Sequence, residues 1–182
     1  MKLTTLGCWG AYPYKDGGTT SYLVTSEDGF QLLMDCGSRA VTELEKEISP
    51  LDLDAVIISH YHPDHVADLG VLRHYFQLYP KHLWKPKILP IYGHTEDEQE
   101  FAKLTLDGVS QGKAYDVNGV EKIGPFDITF IKTVHPVPCY AFRIVERATG
   151  QTLVFTGDTG YFEGLDKFAA GADLFLADVY LY

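Results

Sequence analysis

Short apolar stretches recur along this chain, each cut off by glycine, proline or a polar cluster, and their periods set the expected elements. Residues 2–6 read as a first strand, followed over 7–20 by a loop with Gly10, Pro13, Gly17 and Gly18 as breakers. Residues 21–25 and 29–34 predict a hairpin joined through Glu27-Asp28-Gly29. Residues 54–58, a β-branched apolar run bounded by polar positions, predict a buried strand. Further strands are expected at 87–92, 113–117, 127–134, 140–145 and 152–155. Helical spacing appears at Val41, Leu44 and Ile48 within 39–48, ended by Pro50. It returns at Leu69, Leu72, Phe76 and Tyr79 within 66–79, stopped by Pro80. Thr95-Glu96-Asp97-Glu98 reads as a capping box opening a helix to about Leu106, its acidic residues favourably set against the helix dipole. A short last helix is expected at 163–170. Strands followed by helices in both halves give the α/β class. With 182 residues and no repeat or linker, one domain over 1–182 is expected.

Directly after the 54–58 strand comes Ser59-His60-Tyr61-His62-Pro63-Asp64-His65, three histidines and a carboxylate within six positions. Pro63 bars this segment from a helix interior, so the histidines are expected in a tight loop at the strand mouth. Imidazole and carboxylate are the ligand set for Zn²⁺ and similar divalent metals. The alternating histidines suit one ion, while Asp64 and His65 point to a second. His135 ends the alternating strand Ile128-Thr129-Phe130-Ile131-Lys132-Thr133, and Gly157-Asp158-Thr159-Gly160 follows the strand at 152–156. An aspartate between glycines is ordinary turn chemistry by itself. Together these segments put another imidazole and another carboxylate at strand ends where loops converge.

The pattern His60-x-His62-x-Asp64-His65, then His135, then Asp158, with Asp35 in the earlier Leu33-Met34-Asp35-Cys36-Gly37, resembles the metallo-β-lactamase superfamily. The resemblance runs from about residue 3 onward and is nearest to the ribonuclease Z and small phosphodiesterase branch. It implies a four-layer αββα sandwich. It implies that His60, His62 and His135 hold a first divalent ion, that Asp64 and His65 hold a second, and that Asp158 bridges the two. Zinc is the expected metal, with manganese as the alternative. Asp35 would accept a hydrogen bond from a ligating imidazole. Asp64 and Asp158 would be the catalytic carboxylates of a hydrolase using a metal-bridging hydroxide. Family members carry a further histidine after the Gly-Asp-Thr-Gly segment, whereas no histidine follows His135 here. The apolar run at 173–182, ending Val179-Tyr180-Leu181-Tyr182, would also leave an exposed strand edge. The expectation is therefore a fragment truncated at its C-terminal side. Members that process transfer RNA carry a long clamp arm between the equivalents of His135 and Asp158. Only 22 residues lie between them here, enough for one hairpin. A small phosphodiester or short RNA is thus the expected substrate. The alternatives are an ester, lactone or thioester hydrolase, a 3′ transfer-RNA endonuclease, and a metal-binding scaffold without activity.

Charge supports the smaller substrate. The chain carries a net charge of −10, and its 15 basic residues are dispersed apart from Lys81-His82-Leu83-Trp84-Lys85-Pro86-Lys87. Binding of long nucleic acid normally needs a clustered basic surface. No apolar run reaches the roughly 20 residues of a membrane span, and the first residues do not read as a signal peptide. Cys8, Cys36 and Cys139 form no CxxC pair, which fits a reducing cytoplasm; Cys139, four residues after His135, is the one worth following. A homodimer is expected by analogy with relatives.

Overall fold

Seven strands, β1 (Lys2–Trp9), β2 (Gly18–Thr19), β3 (Ser21–Thr25), β4 (Gln31–Met34), β5 (Ala55–Ile57), β6 (Leu89–Gly93) and β7 (Ser110–Ala114), form a first sheet in the order β2-β1-β3-β4-β5-β6-β7. Five more, β8 (Glu121–Ile123), β9 (Phe126–Lys132), β10 (Tyr140–Glu146), β11 (Thr152–Phe155) and β12 (Leu174–Leu176), form a second sheet in the order β12-β11-β10-β9-β8. The helices are α1 (Ala40–Leu44), α2 (Pro63–Val66), α3 (Leu69–Leu78), α4 (Glu98–Ala102) and α5 (Leu165–Ala169). This computed structural model describes every residue except Lys81, Trp84 and 179–182. The basic run at 81–87 therefore lies partly, and the terminal Val179-Tyr180-Leu181-Tyr182 wholly, outside the described residues.

The period-2 pattern of the strands divides the apolar side chains between two cores. One face of the first sheet, including Leu23, Leu33 and Val56, packs against Val41 and Leu44 of α1 and Leu69, Leu72 and Phe76 of α3. Its other face, including Val24, Leu32, Met34 and Ile57, meets Phe126, Ile128, Phe142, Ile144 and Phe155 of the second sheet. Phe142 is fully buried and touches Tyr115, Phe130 and Phe155 ring to ring. Burying each such side chain contributes about 1.5–3 kcal/mol. On the outer face of the second sheet, Arg143 of β10 donates to the carbonyls of Phe168 and Ala170 around the end of α5. The layers are thus helix, sheet, sheet, helix, an α/β sandwich of the αββα kind.

Several elements depart from the periodicity. The predicted helix at 66–79 is split at Asp68, whose backbone N–H leaves the helical ladder for Cys36 O (3.1 Å) while its carboxylate accepts the Val41 N–H at the start of α1 (3.1 Å). Pro63 stands at the first position of α2, where its missing N–H costs nothing, so Asp64 and His65 ride on one helical turn rather than a loop. The capping box does not form at Thr95. Glu96 is drawn instead to Lys132 and Tyr140, and Asp97 caps the helix by accepting the Glu100 N–H at 3.0 Å. Helix α1 spans fewer residues than its apolar spacing suggested, and α4 stops at Ala102. The strand expected at 113–117 lies three residues earlier, held by parallel pairing of Leu89–Gly93 with Ser110–Ala114 rather than by its own weakly apolar sequence.

Gly37 fixes the approach of the first sheet to the α2 turn. A Cβ there would stand 2.1 Å from the Asp64 carbonyl oxygen and 2.3 Å from Thr19 Oγ1. Gly37→Ala is expected to destabilise the fold by about 3 kcal/mol, the upper end for overpacking, since a backbone oxygen cannot swing aside. Urea unfolding with an unchanged m-value and an unchanged midpoint would refute this.

Candidate metal centre

Strands β4, β5, β6 and β7 run parallel, so their C-terminal ends share one edge of the first sheet. β5 delivers Ser59 and His60 to that edge, and α2 returns Asp64 and His65 to it. From the second sheet, β9 brings His135 and β11 brings Asp158. Their two loops are tied together: Gly160 N–H donates to Val134 O (2.8 Å), Val134 N–H to Thr159 Oγ1 (3.2 Å), and Thr133 Oγ1 to Asp158 O (2.9 Å). Tyr140 N–H bonds Ser59 O at 3.2 Å, joining the tips of the two sheets.

All six side chains read from the sequence as candidate ligands converge. His60, His62, His135 and Asp158 form one group, and Asp64, His65 and Asp158 a second; within each, the donor atoms lie within 4.8 Å of one another. In the first, His60 Nε2 is 3.1 Å from His62 Nδ1, which is 2.9 Å from His135 Nε2. Asp158 Oδ2 stands 3.7 Å from His60 Nε2 and 3.8 Å from His135 Nε2. In the second, His65 Nε2 lies 3.0 Å from Asp158 Oδ1 and 3.6 Å from Asp64 Oδ2. Ligands bound at about 2.05 Å in a tetrahedron are separated by about 3.4 Å, so these spacings bracket what a divalent ion requires. His65 Nε2 is buried and faces only the Asp158 and Asp64 carboxylates, the surroundings a cation would share. The donor set fits divalent metal.

The electrostatics agree. Burial, then the neighbouring His65, push His60 down to about 2, which keeps its ring neutral and able to donate a lone pair. Burial also pulls on His65, but the Asp35 and Asp158 carboxylates outweigh it and raise that ring to about 10. A cation at Nε2 would satisfy the same carboxylates in place of the proton.

Asp35 is fully buried and has a left-handed backbone (φ 54°) that aspartate tolerates better than most residues. Its Oδ2 accepts from His65 Nδ1 at 2.7 Å, the imidazole contact expected of it. Cys139 is also buried, which pushes its thiol up to about 12, and it belongs to neither donor group. Sequence reasoning missed two participants. Ser59 lies inside the motif, and only the fold shows its hydroxyl beside Asp35. Ala11, itself at φ 58°, donates its backbone N–H to Asp64 Oδ2 at 2.9 Å, a contact no side-chain pattern could announce. Ala11, Asp64, His62, His135 and Asp158 line a cavity of about 530 Å³ opening to solvent.

A two-sheet αββα sandwich with a histidine and aspartate cluster on its edge is the architecture of the metallo-β-lactamase fold. The model of the Metallo-beta-lactamase superfamily matches residues 14–182, and the chain belongs to that superfamily. It is 42% identical over 183 residues to the Probable metallo-hydrolase YhfI of Bacillus subtilis, covering 100% of this chain and 73% of that protein. The crystal structure of YhfI superposes with a TM-score of 0.87 over 95% of this chain and 69% of that one. A Ribonuclease Z of Methanopyrus kandleri is 29% identical over 140 residues, 76% of this chain and 48% of its own. Human tRNase Z, short form, shares the fold with a TM-score of 0.73 at 22% identity, covering 96% of this chain and 76% of that one.

Proposed function

We propose that this chain is a dinuclear metal-dependent phosphodiesterase acting on a small phosphodiester. The observation that carries the reading is the shared Asp158, whose two oxygens face the two donor groups at the floor of one cavity of about 530 Å³. Such a volume suits a small ligand rather than a folded RNA. Two divalent ions held there, zinc first and manganese as the alternative, would lower the pKa of a bound water and offset charge on the phosphoryl oxygens. His60, His62 and His135 would hold one ion and Asp64 and His65 the other. The Ala11 N–H restrains the Asp64 carboxylate, and the clasp of Thr133, Thr159 and Gly160 keeps His135 and Asp158 in register.

Two further observations favour a small substrate. The hairpin of β10 and β11 occupies most of the interval between His135 and Asp158, which leaves no clamp arm for transfer RNA. The net charge of −10 also disfavours a long polyanion. Purified with Zn²⁺ or Mn²⁺, the protein is expected to hydrolyse bis-p-nitrophenyl phosphate and to leave precursor transfer RNA uncut. Chromogenic thioesters and lactones serve as the competing panel. Efficient transfer-RNA cleavage, or turnover confined to the thioester and lactone set, would overturn the substrate assignment. Metal binding without turnover of any member would leave a scaffold.

A further inference from the structure

We infer that Ser59 is a positioning residue through which a single buried carboxylate, Asp35, fixes the Nδ1 proton of His60 as it directly fixes that of His65, and so orients a ligand in each of the two donor groups. The inference follows from counting protons. Asp35 and Ser59 are both fully buried, so no bulk water competes for their hydrogen bonds. Asp35 Oδ1 accepts the Ser59 backbone N–H at 2.7 Å. Its Oδ2 lies 2.7 Å from Ser59 Oγ and 2.7 Å from His65 Nδ1. Two oxygens at 2.7 Å need a proton between them. Both Asp35 oxygens already accept, Oδ1 from the Ser59 N–H and Oδ2 from His65 Nδ1, so the proton is that of the Ser59 hydroxyl.

That hydroxyl has only one proton. Of its two remaining neighbours, His65 Nδ1 at 3.5 Å already gives its proton to Asp35 Oδ2 at 2.7 Å, so the 3.1 Å contact to His60 Nδ1 must be one in which the imidazole donates and Oγ accepts. His60 then carries its proton on Nδ1 and presents the Nε2 lone pair toward His62 and Asp158. His65 is held the same way one bond closer, with Nδ1 on Asp35 and Nε2 turned toward Asp158 and Asp64. The carboxylate thus reaches the first donor group through Ser59 and the second directly. Removing the Ser59 hydroxyl frees only the first branch, because the Ser59 N–H remains on Oδ1.

The affinity part of this inference rests on the metal reading above; the location of the proton does not. Long-range ¹H–¹⁵N correlation spectra of the histidine-labelled chain, stripped of metal, should show the His60 proton on Nδ1. In Ser59→Ala a substantial fraction should move to Nε2. In chelator competition with zinc, Ser59→Ala should weaken one of the two equivalents about 10- to 100-fold, the usual effect of losing a hydrogen-bond partner to a ligand. The other should hardly change, whereas Asp35→Asn should weaken both. A His60 proton on Nε2 in the unmutated chain overturns the proposal without needing any variant. So does equal loss of both equivalents in Ser59→Ala, tracking a lowered melting temperature, since that marks a merely structural serine. If the proton lies on Nδ1 but the unmutated chain binds no zinc, the metal reading fails and the Ser59 assignment stands.

Discussion

Asp158→Ala is expected to empty both metal positions at once and to lower phosphodiester hydrolysis at least about 10³-fold, some 4 kcal/mol of transition-state stabilisation. The reason is geometric. Oδ2 faces His60 and His135 at 3.7 and 3.8 Å, and Oδ1 faces His65 at 3.0 Å, so one side chain serves both groups. His135→Ala and Asp64→Ala each remove a donor from one group only and should cost one equivalent each. The loop carrying Asp158 should survive the substitution, because Thr133 holds its backbone carbonyl and not its carboxylate. Metal content by inductively coupled plasma mass spectrometry, beside circular dichroism, reads the outcome. A folded Asp158→Ala protein that still retains two equivalents would remove the bridge from the mechanism.

The centre was legible because its residue types are scarce and its spacing is short. Three of the seven histidines fall between His60 and His65, and a strand end is the natural place to present them. His135 and Asp158 could be added because each follows a strand-like run, the alternating one that became β9 and the continuously apolar one that became β11. What the sequence could not announce were contacts made by generic groups. The Ala11 N–H on Asp64 is a backbone donor and leaves no mark in residue identity. The Ser59 hydroxyl gains meaning only once Asp35, 24 positions away, is beside it. The fold divides in the same way. Strands with their own apolar alternation, such as β9 and β10, were readable from local pattern. β7, with the sequence Ser-Gln-Gly-Lys-Ala, exists because β6 pairs with it. β8, a short polar strand, likewise depends on its neighbour β9. Glu96 shows the converse: a sound local capping signal yielded to a tertiary pairing with Lys132 and Tyr140.

Metal should therefore stabilise the protein as well as activate it. The site gathers three carboxylates, Asp35, Asp64 and Asp158, around His60, His62, His65 and His135. His62 Nδ1 stands 3.1 Å from His60 Nε2 and 2.9 Å from His135 Nε2, an arrangement that attracts a cation and that the unfolded chain does not possess. A ligand that binds only the folded state adds about 2.7 kcal/mol at a concentration 100 times its Kd. For a chain of this size that corresponds to a rise in melting temperature of about 5–10 °C. Scanning calorimetry of chelator-stripped protein, with and without ZnCl₂ or MnCl₂, measures it directly. The His60→Ala, His62→Ala double variant should lose most of the gain, since it strips two of the four donors of the first group while leaving Asp64, His65 and Asp158 intact. An equal rise in the double variant would mean that the stabilising ion binds elsewhere, and no rise in the unmutated chain would mean that the convergence of these side chains is not a metal site.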